Sequence, residues 1–372
     1  MNFKCKKDDL IVALNNVSRT VSTRTTMPIL EGVLIETYDN NIKLTTNDLE
    51  IGSEYIIPAV IESSGNTVVE LKTFNEIIRK IESEEISFEI NNGIFIIKST
   101  SGVFKLLTLN PDDFTRLPVF NANKEITISE KMFKDMVKKT VFATSSDPNR
   151  PVYTGALVEV VDNDISVVAI DGFRMAVRKE YLERPSEFKA IIPAKSLTEI
   201  IKTLSDDEDA MIKIGVNKNQ ALFRMGPCTV ISRIIEGDFL NYNKTLPTNI
   251  ETTVRIGKRA LLEALERVSI FSKDVKEQKP PVKIKMSLDF FEISCEGNAG
   301  DAKELVNAAV SGKDLEIGFN PRYLIEALKV IDDDEIELEF SSPVLPVVIR
   351  PLAGTGYVYM VLPLKLKDYF KE

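Results

Sequence analysis

The sequence predicts an α+β fold built from three successive copies of one domain, each with two helices on an inner face and antiparallel sheets outside them. Three observations predict it. A strand-to-helix pattern occurs three times, a second helical pattern follows each copy at a near-constant distance, and hairpin-like segments fill the intervals.

The first pattern reads FKCKKDDLIVALNNVS from Phe3, ITISEKMFKDMVKKTV from Ile126 and VRIGKRALLEALERVS from Val254, at offsets of 123 and 128 residues. Leu10, Leu14 and Val17 form one apolar helical face, repeated by Phe133, Val137 and Thr140 and by Leu261, Leu265 and Val268. The second pattern reads LKTFNEIIRKIE, AKSLTEIIKTLS and PRYLIEALKVID, in which Glu76, Glu199 and Glu326 correspond at offsets of 123 and 127. Helices are therefore expected over 8–19, 71–82, 130–142, 194–204, 258–269 and 321–331. Segments such as GVLIETYDNNIKLTT and GALVEVVDNDISVVAI have the form strand, Asn/Asp turn, strand. A period this long is that of whole domains, since solenoid and propeller units repeat every ~20–50 residues. The boundaries are expected after RLPVFN and TLPTN, giving domains 1–123, 124–248 and 249–372.

The 372 residues fit two or three domains at roughly 100–200 residues each. With 44% hydrophobic and 28% charged residues and no low-complexity tract, the chain reads as folded. No apolar run approaches the ~18 residues of a membrane helix, and MNFKCKKDDL lacks a signal-peptide core, so a cytoplasmic location without a membrane partner is expected. Cys5, Cys228 and Cys295 are scattered and odd in number, which suits reduced core residues better than a disulfide or zinc framework. Histidine is absent, and with it the commonest general base and metal ligand. No cofactor or catalytic residue is indicated.

Each second helix runs into an acidic turn: Glu84-Glu85, Asp206-Asp207-Glu208-Asp209 and Asp332-Asp333-Asp334-Glu335. A turn recurring at one point of three copies is read as a solvated loop. The alternative, a metal-dependent enzyme using these carboxylates or those near Asp171, lacks a clustered ligand motif and a nucleotide loop.

Charge is unevenly placed. The six expected helices hold 15 Lys and Arg against 10 Asp and Glu, in a chain of formal net charge −9. A basic helical set on an acidic body permits a nonspecific duplex-DNA partner, held through phosphates, provided the helices share one face. From this reading Lys138, Lys139 and Lys202 are candidate DNA contacts.

Read together, TMPILEGVLIE (25–35), NRPVYTGALVE (149–159), VVAIDGFRMAV (167–177), FLNYNKTLPTN (239–249) and VYMVLPLKL (358–366) resemble the beta subunit of bacterial DNA polymerase III, the sliding clamps, over essentially the whole chain. The resemblance implies a non-catalytic, head-to-tail homodimeric ring of three-domain protomers. A clamp loader places such a ring on DNA, where it tethers the polymerase III alpha subunit and other polymerases. It further implies a pocket for a partner's short peptide, formed by Tyr153, Ile170, Gly172, Phe173, Arg174, Met175, Leu240, Lys244, Thr245, Val344, Pro346, Met360, Val361, Leu362, Pro363 and Leu364. Without the resemblance these residues read as strand core and a domain hinge. Phe173 stands where some relatives carry histidine, Lys244 where some carry arginine, and Tyr153 where a smaller apolar residue is common. Arg24, Lys72, Arg150 and Lys195 resemble the family's DNA contacts. At the ring seam the resemblance sets Phe104 and Leu106 against Ile270 and Phe271, with Lys98 and Lys105 opposite Asp301 and Glu304. The terminal KDYFKE is expected to fray.

Overall fold

The structure, a computed structural model, describes residues 1–22, 25–120, 124–272, 280–352, 354 and 356–366. Arg24 and the tail Lys367–Glu372 lie outside the described residues. Among the described residues there are six α-helices: α1 (Lys7–Val17), α2 (Leu71–Lys80), α3 (Glu130–Lys138), α4 (Ala194–Ile201), α5 (Lys258–Val268) and α6 (Pro321–Val330). All six fall where the apolar periodicity sets them, but several end early. After α1 the chain tightens into a 3-10 turn, Ser18–Thr20. The end of α3 is reached when the Thr140 hydroxyl donates back to the Met136 carbonyl at 2.8 Å, a side-chain bond that competes with helix continuation.

The three copies start alike. The backbone N–H of the first residue of α1, α3 and α5 donates to the acidic-turn region of its own copy: Lys7 to Glu84, Glu130 to Ala210 and Lys258 to Asp334. In the outer copies the lysine also ties the first helix to the end of the second, Lys7 Nζ to the Ile81 carbonyl at 2.6 Å and Lys258 Nζ to that of Ile331 at 2.7 Å. These bonds satisfy carbonyls that a helix end leaves open. In the middle copy Glu130 stands in the lysine's place. It accepts from the Ser205 N–H at 2.6 Å instead, and Lys134 one turn later reaches the Leu204 carbonyl.

The chain divides into two compact units, residues 1–134 with 195–235, and residues 135–194 with 236–372. The division cuts across the sequence repeat because hydrogen-bonded sheet also does. In the first unit, strand Ile51–Pro58 of one copy pairs antiparallel with strand Cys228–Arg233 of the next, producing an eight-stranded sheet. In the second, strand Arg174–Pro193 pairs antiparallel with Tyr357–Val361 within a seven-stranded sheet. A five-stranded sheet in the first unit and a four-stranded one in the second complete the set, and the described pairings are antiparallel, as the α+β class requires.

Helices α1 and α2 bury Leu10, Leu14, Val17, Phe74 and Ile78 in one core with Phe3, Phe88 and Phe95. Phe3 stacks on Phe88 at 4.7 Å between centroids, and Phe74 meets the Phe88 and Phe95 rings edge-on. Each such ring contributes about 1.5–3 kcal/mol by burial. That cluster fixes the helix pair against the five-stranded sheet, leaving the opposite helix faces to solvent.

Candidate functional site

The second unit carries a tight turn, Asp171–Arg174, where strand Gly155–Ile170 ends and strand Arg174–Pro193 begins. Asp171 Oδ1 accepts from the N–H groups of Phe173 at 2.8 Å and Arg174 at 3.0 Å, the hydrogen bonding of an Asx turn. Gly172 holds φ at +94°, a conformation that favours glycine, and a Cβ there would lie 2.9 Å from Arg150 Nη1, which would have to shift. Phe173 is left 54% exposed at the tip, while its carbonyl accepts from the Leu362 N–H at 2.8 Å.

Beneath the tip, Arg174 is 5% exposed. Its Nε donates to Asp171 Oδ2 at 2.9 Å, its Nη2 to the Phe142 carbonyl at 2.7 Å and its Nη1 to Glu326 Oε2 on α6. The guanidinium carbon lies 4.5 Å from the Tyr323 ring centroid and 5.5 Å from that of Phe142. Arg322 donates to the other Glu326 oxygen at 2.7 Å, so two cations and two carboxylates form a neutral set. Burial alone would raise the Glu326 carboxyl, but hydrogen bonds from Arg322 and Arg174 outweigh it and hold the group below its ordinary value.

Strand pairing brings some of the sequence-predicted pocket residues together. Arg174 is opposite Val361 and Met175 opposite Met360, while Val347, just after Pro346, is opposite Val361. Thr245 Oγ1 lies 3.7 Å from Met175 Sδ, and the Tyr153 ring meets Phe239 edge-on, next to Leu240. Phe173, Leu240, Val344 and Leu362 are exposed apolar side chains, Lys244 is exposed, and Pro363 and Leu364 are half-buried. Ile170, Met175, Met360 and Val361 are buried strand residues, and Pro346 and Arg174 are buried as well.

The candidate DNA contacts divide by what already holds them. Lys72 and Lys138 are exposed and make no ion pair among the described residues. Lys195 donates to Asp48 at 2.7 Å, and Lys202 to Glu199 at 2.7 Å, while both stay solvent-facing. The Lys139 ammonium is held between Asp135 and Asp332, each at 2.8 Å, and little of it is exposed. Arg150 is exposed, and its Nη1 lies 2.9 Å from where a Gly172 Cβ would be. In the acidic turns, expected as solvated loops, Asp206 and Glu208 are exposed and pair with Lys134 and Lys131.

Each unit has an open sheet edge at the residues expected for the seam. In the first, edge strand Val103–Leu107 exposes Val103, Phe104 and Leu107, with Leu106 half-buried. In the second, edge strand Gly300–Leu305 exposes Leu305, near the exposed Ile270 and the half-buried Phe271, whose ring lies 3.2 Å from where a Gly300 Cβ would be. Lys105 and Asp301 make no ion pair among the described residues, whereas Lys98 pairs with Glu89 and Glu304 with Arg267. Open edges with exposed apolar side chains are places where another chain adds on.

The sequence reading missed the partners of Arg174, because Phe142, Tyr323 and Glu326 are distant in the chain. The turn itself had a signal: Asp48 and Asp171 correspond at the same offset of 123 as the helices. Asp171, on which the enzyme reading rested, has both oxygens engaged. No group of three or more His, Cys, Asp or Glu is arranged to hold a metal ion among the described residues. Burial pushes the Cys5 and Cys228 thiols up to about 12 and that of Cys295 to about 11, which keeps them protonated. No described helix is long and apolar enough to cross a membrane.

Residues 1–118, 127–241 and 243–365 match, in order, the family models of the N-terminal, central and C-terminal domains of the DNA polymerase III beta subunit. The chain is 35% identical to the beta sliding clamp of Staphylococcus epidermidis, over 98% of this chain and 99% of that one. Its fold is similar to the crystal structure of the DNA polymerase sliding clamp from Bacillus subtilis, with a TM-score of 0.94, 30% identity, and 98% and 99% of the two chains covered. A crystal structure described as a putative DNA polymerase III beta subunit from Eubacterium rectale has a TM-score of 0.93 at 33% identity, covering 98% of this chain and 100% of that one. With all three domain models matched along its length, and with near full-length relatives above 30% identity, this chain belongs to the DNA polymerase III beta subunit family of sliding clamps.

Proposed function

We propose that this protein closes as a head-to-tail homodimer around duplex DNA and tethers DNA polymerase III, through its alpha subunit, and other polymerases by a short peptide seated beside Phe173. It is a processivity factor without catalysis of its own. The observation that carries the tether is that Phe173, Leu240, Val344 and Leu362 are exposed apolar side chains, with the Leu362 N–H bonded to the Phe173 carbonyl at 2.8 Å; exposed apolar side chains mark recognition surfaces. Exposed Lys72, Lys138, Lys195 and Lys202, with Arg24 by resemblance, supply phosphate contacts that carry no sequence information. The repeat sets domain boundaries near residues 123 and 248, the open edges at Val103–Leu107 and Gly300–Leu305 form the seam, a clamp loader opens it, and the setting is the cytoplasm.

The test loads the protein on nicked circular DNA. Retention on the circle and escape on linearisation are expected, and escape from both, or retention on both, refutes encirclement. Phe173→Asp is expected to abolish binding of an alpha-subunit tail peptide while loading continues; unchanged peptide binding refutes the assigned cleft. Charged replacements at Ile270 and Phe271 are expected to give monomers in sedimentation.

A further inference from the structure

We propose that Glu326, on helix α6, is a positioning residue for the partner cleft: through Arg174 and Asp171 it fixes where Phe173 stands. The inference rests on the cleft reading given above.

The first unit contains a natural control. Its turn Asp48–Ile51 has the same backbone bonds as Asp171–Arg174. Asp48 Oδ1 accepts from Glu50 N–H at 3.0 Å and Ile51 N–H at 2.8 Å, and the Arg233 N–H donates to the Glu50 carbonyl at 2.8 Å, where Leu362 donates to Phe173. Yet Ile51 occupies the place of Arg174, and Glu199, which corresponds to Glu326, pairs with Lys202. The fold of the turn therefore needs neither the arginine nor a reaching glutamate.

What the second unit adds is lateral fixation. Glu326 holds the guanidinium from the helix side, Asp171 holds it from the turn side, and Asp171 binds the Phe173 backbone directly. The Phe173 ring stacks on Tyr323 at 6.5 Å and 21°, and Tyr323 also lies against the guanidinium. The Tyr323 carbonyl is itself tied to the Tyr359 hydroxyl at 2.9 Å, in the strand beside Arg174. Removing the Glu326 charge leaves a buried guanidinium one partner short, so Arg174 shifts toward Asp171 or water and the turn loses its reference point. An exposed aromatic that is preorganised loses less freedom on binding than a mobile one, which is how a residue without peptide contact sets affinity.

Two readouts test this on the full chain. Fluorescence anisotropy with a labelled alpha-subunit tail peptide is measured for the parent protein, Glu326→Gln, Phe173→Ala and the double variant. Glu326→Gln is expected to weaken binding about tenfold, and the double variant to bind no worse than Phe173→Ala, because interacting residues are non-additive. Additive losses, or none from Glu326→Gln, overturn the proposal. Since the chain has no tryptophan, Phe173→Trp supplies a single reporter indole. Acrylamide quenching of that indole is expected to rise when Glu326→Gln is added, and unchanged quenching overturns positioning. If no peptide binds the parent protein, the cleft reading falls while the quenching result still decides whether Glu326 positions residue 173.

Discussion

The turns Asp48–Ile51 and Asp171–Arg174 share a backbone and differ in what anchors them. In the first, the second carboxylate oxygen of Asp48 is taken by Lys195, an exposed residue of α4. In the second, the corresponding oxygen is taken by Arg174, a buried residue of the turn itself. The residue after the aspartate differs too: Leu49 is held at φ +75°, where Gly172 sits at +94°. One inherited turn has thus been kept as plain structure in one unit and built into a rigid platform in the other. The difference shows that a repeated fold constrains the main chain far more tightly than the side chains that specialise it.

The comparison breaks most sharply at the buried anchor. Arg174→Ala strips Asp171 of its cation and leaves Glu326 with Arg322 alone, and is expected to lower the unfolding free energy by about 3–5 kcal/mol, read from urea denaturation. Next in size is Gly172→Ala, expected to cost about 1–2 kcal/mol for the left-handed conformation, with a further loss where Arg150 must move. The reciprocal change, Leu49→Gly, is expected to relieve that strain and raise the thermal midpoint by a few degrees at most; a fall would mean that the half-exposed leucine side chain outweighs its backbone.

Acid sharpens the contrast further. Glu326 has its pKa depressed below the ordinary 4.5 in the folded state, so it contributes stability above that value and loses it as pH falls through the lower folded value. Parent protein is therefore expected to lose stability more steeply below pH 4.5 than Glu326→Gln, and parallel curves would remove the coupling. The smallest effect belongs to the first turn: Lys195→Ala is expected to cost about 1 kcal/mol, less at high salt, because the lysine is solvent-exposed and two backbone N–H groups still hold Asp48.

Periodicity made the helices and their threefold order readable, since apolar spacing reports directly on which face is buried. The same offset carried Asp48 onto Asp171, so the turn was also within reach. Burial was not. The motifs that hold Ile170, Met175 and Val361 do not say how far each side chain is buried, which depends on the strands packed beside them. Lys139 reads in the sequence as a cation on a helix, while in the structure Asp332, from another copy of the repeat, pairs with it. Pairings between residues more than a hundred positions apart leave no local pattern to read.

The strand pair Ile51–Pro58 with Cys228–Arg233 has a consequence for any attempt to dissect the molecule. Cutting the chain near residue 123 would strip one flank of Ile51–Pro58 of its ladder, leaving bare amides and carbonyls beside an apolar layer. Such a fragment should seek a substitute strand from its neighbours and precipitate. The repeat, although visible three times in the text of the sequence, is not a unit that can be lifted out; the smallest separable piece is one in which the borrowed strand comes too.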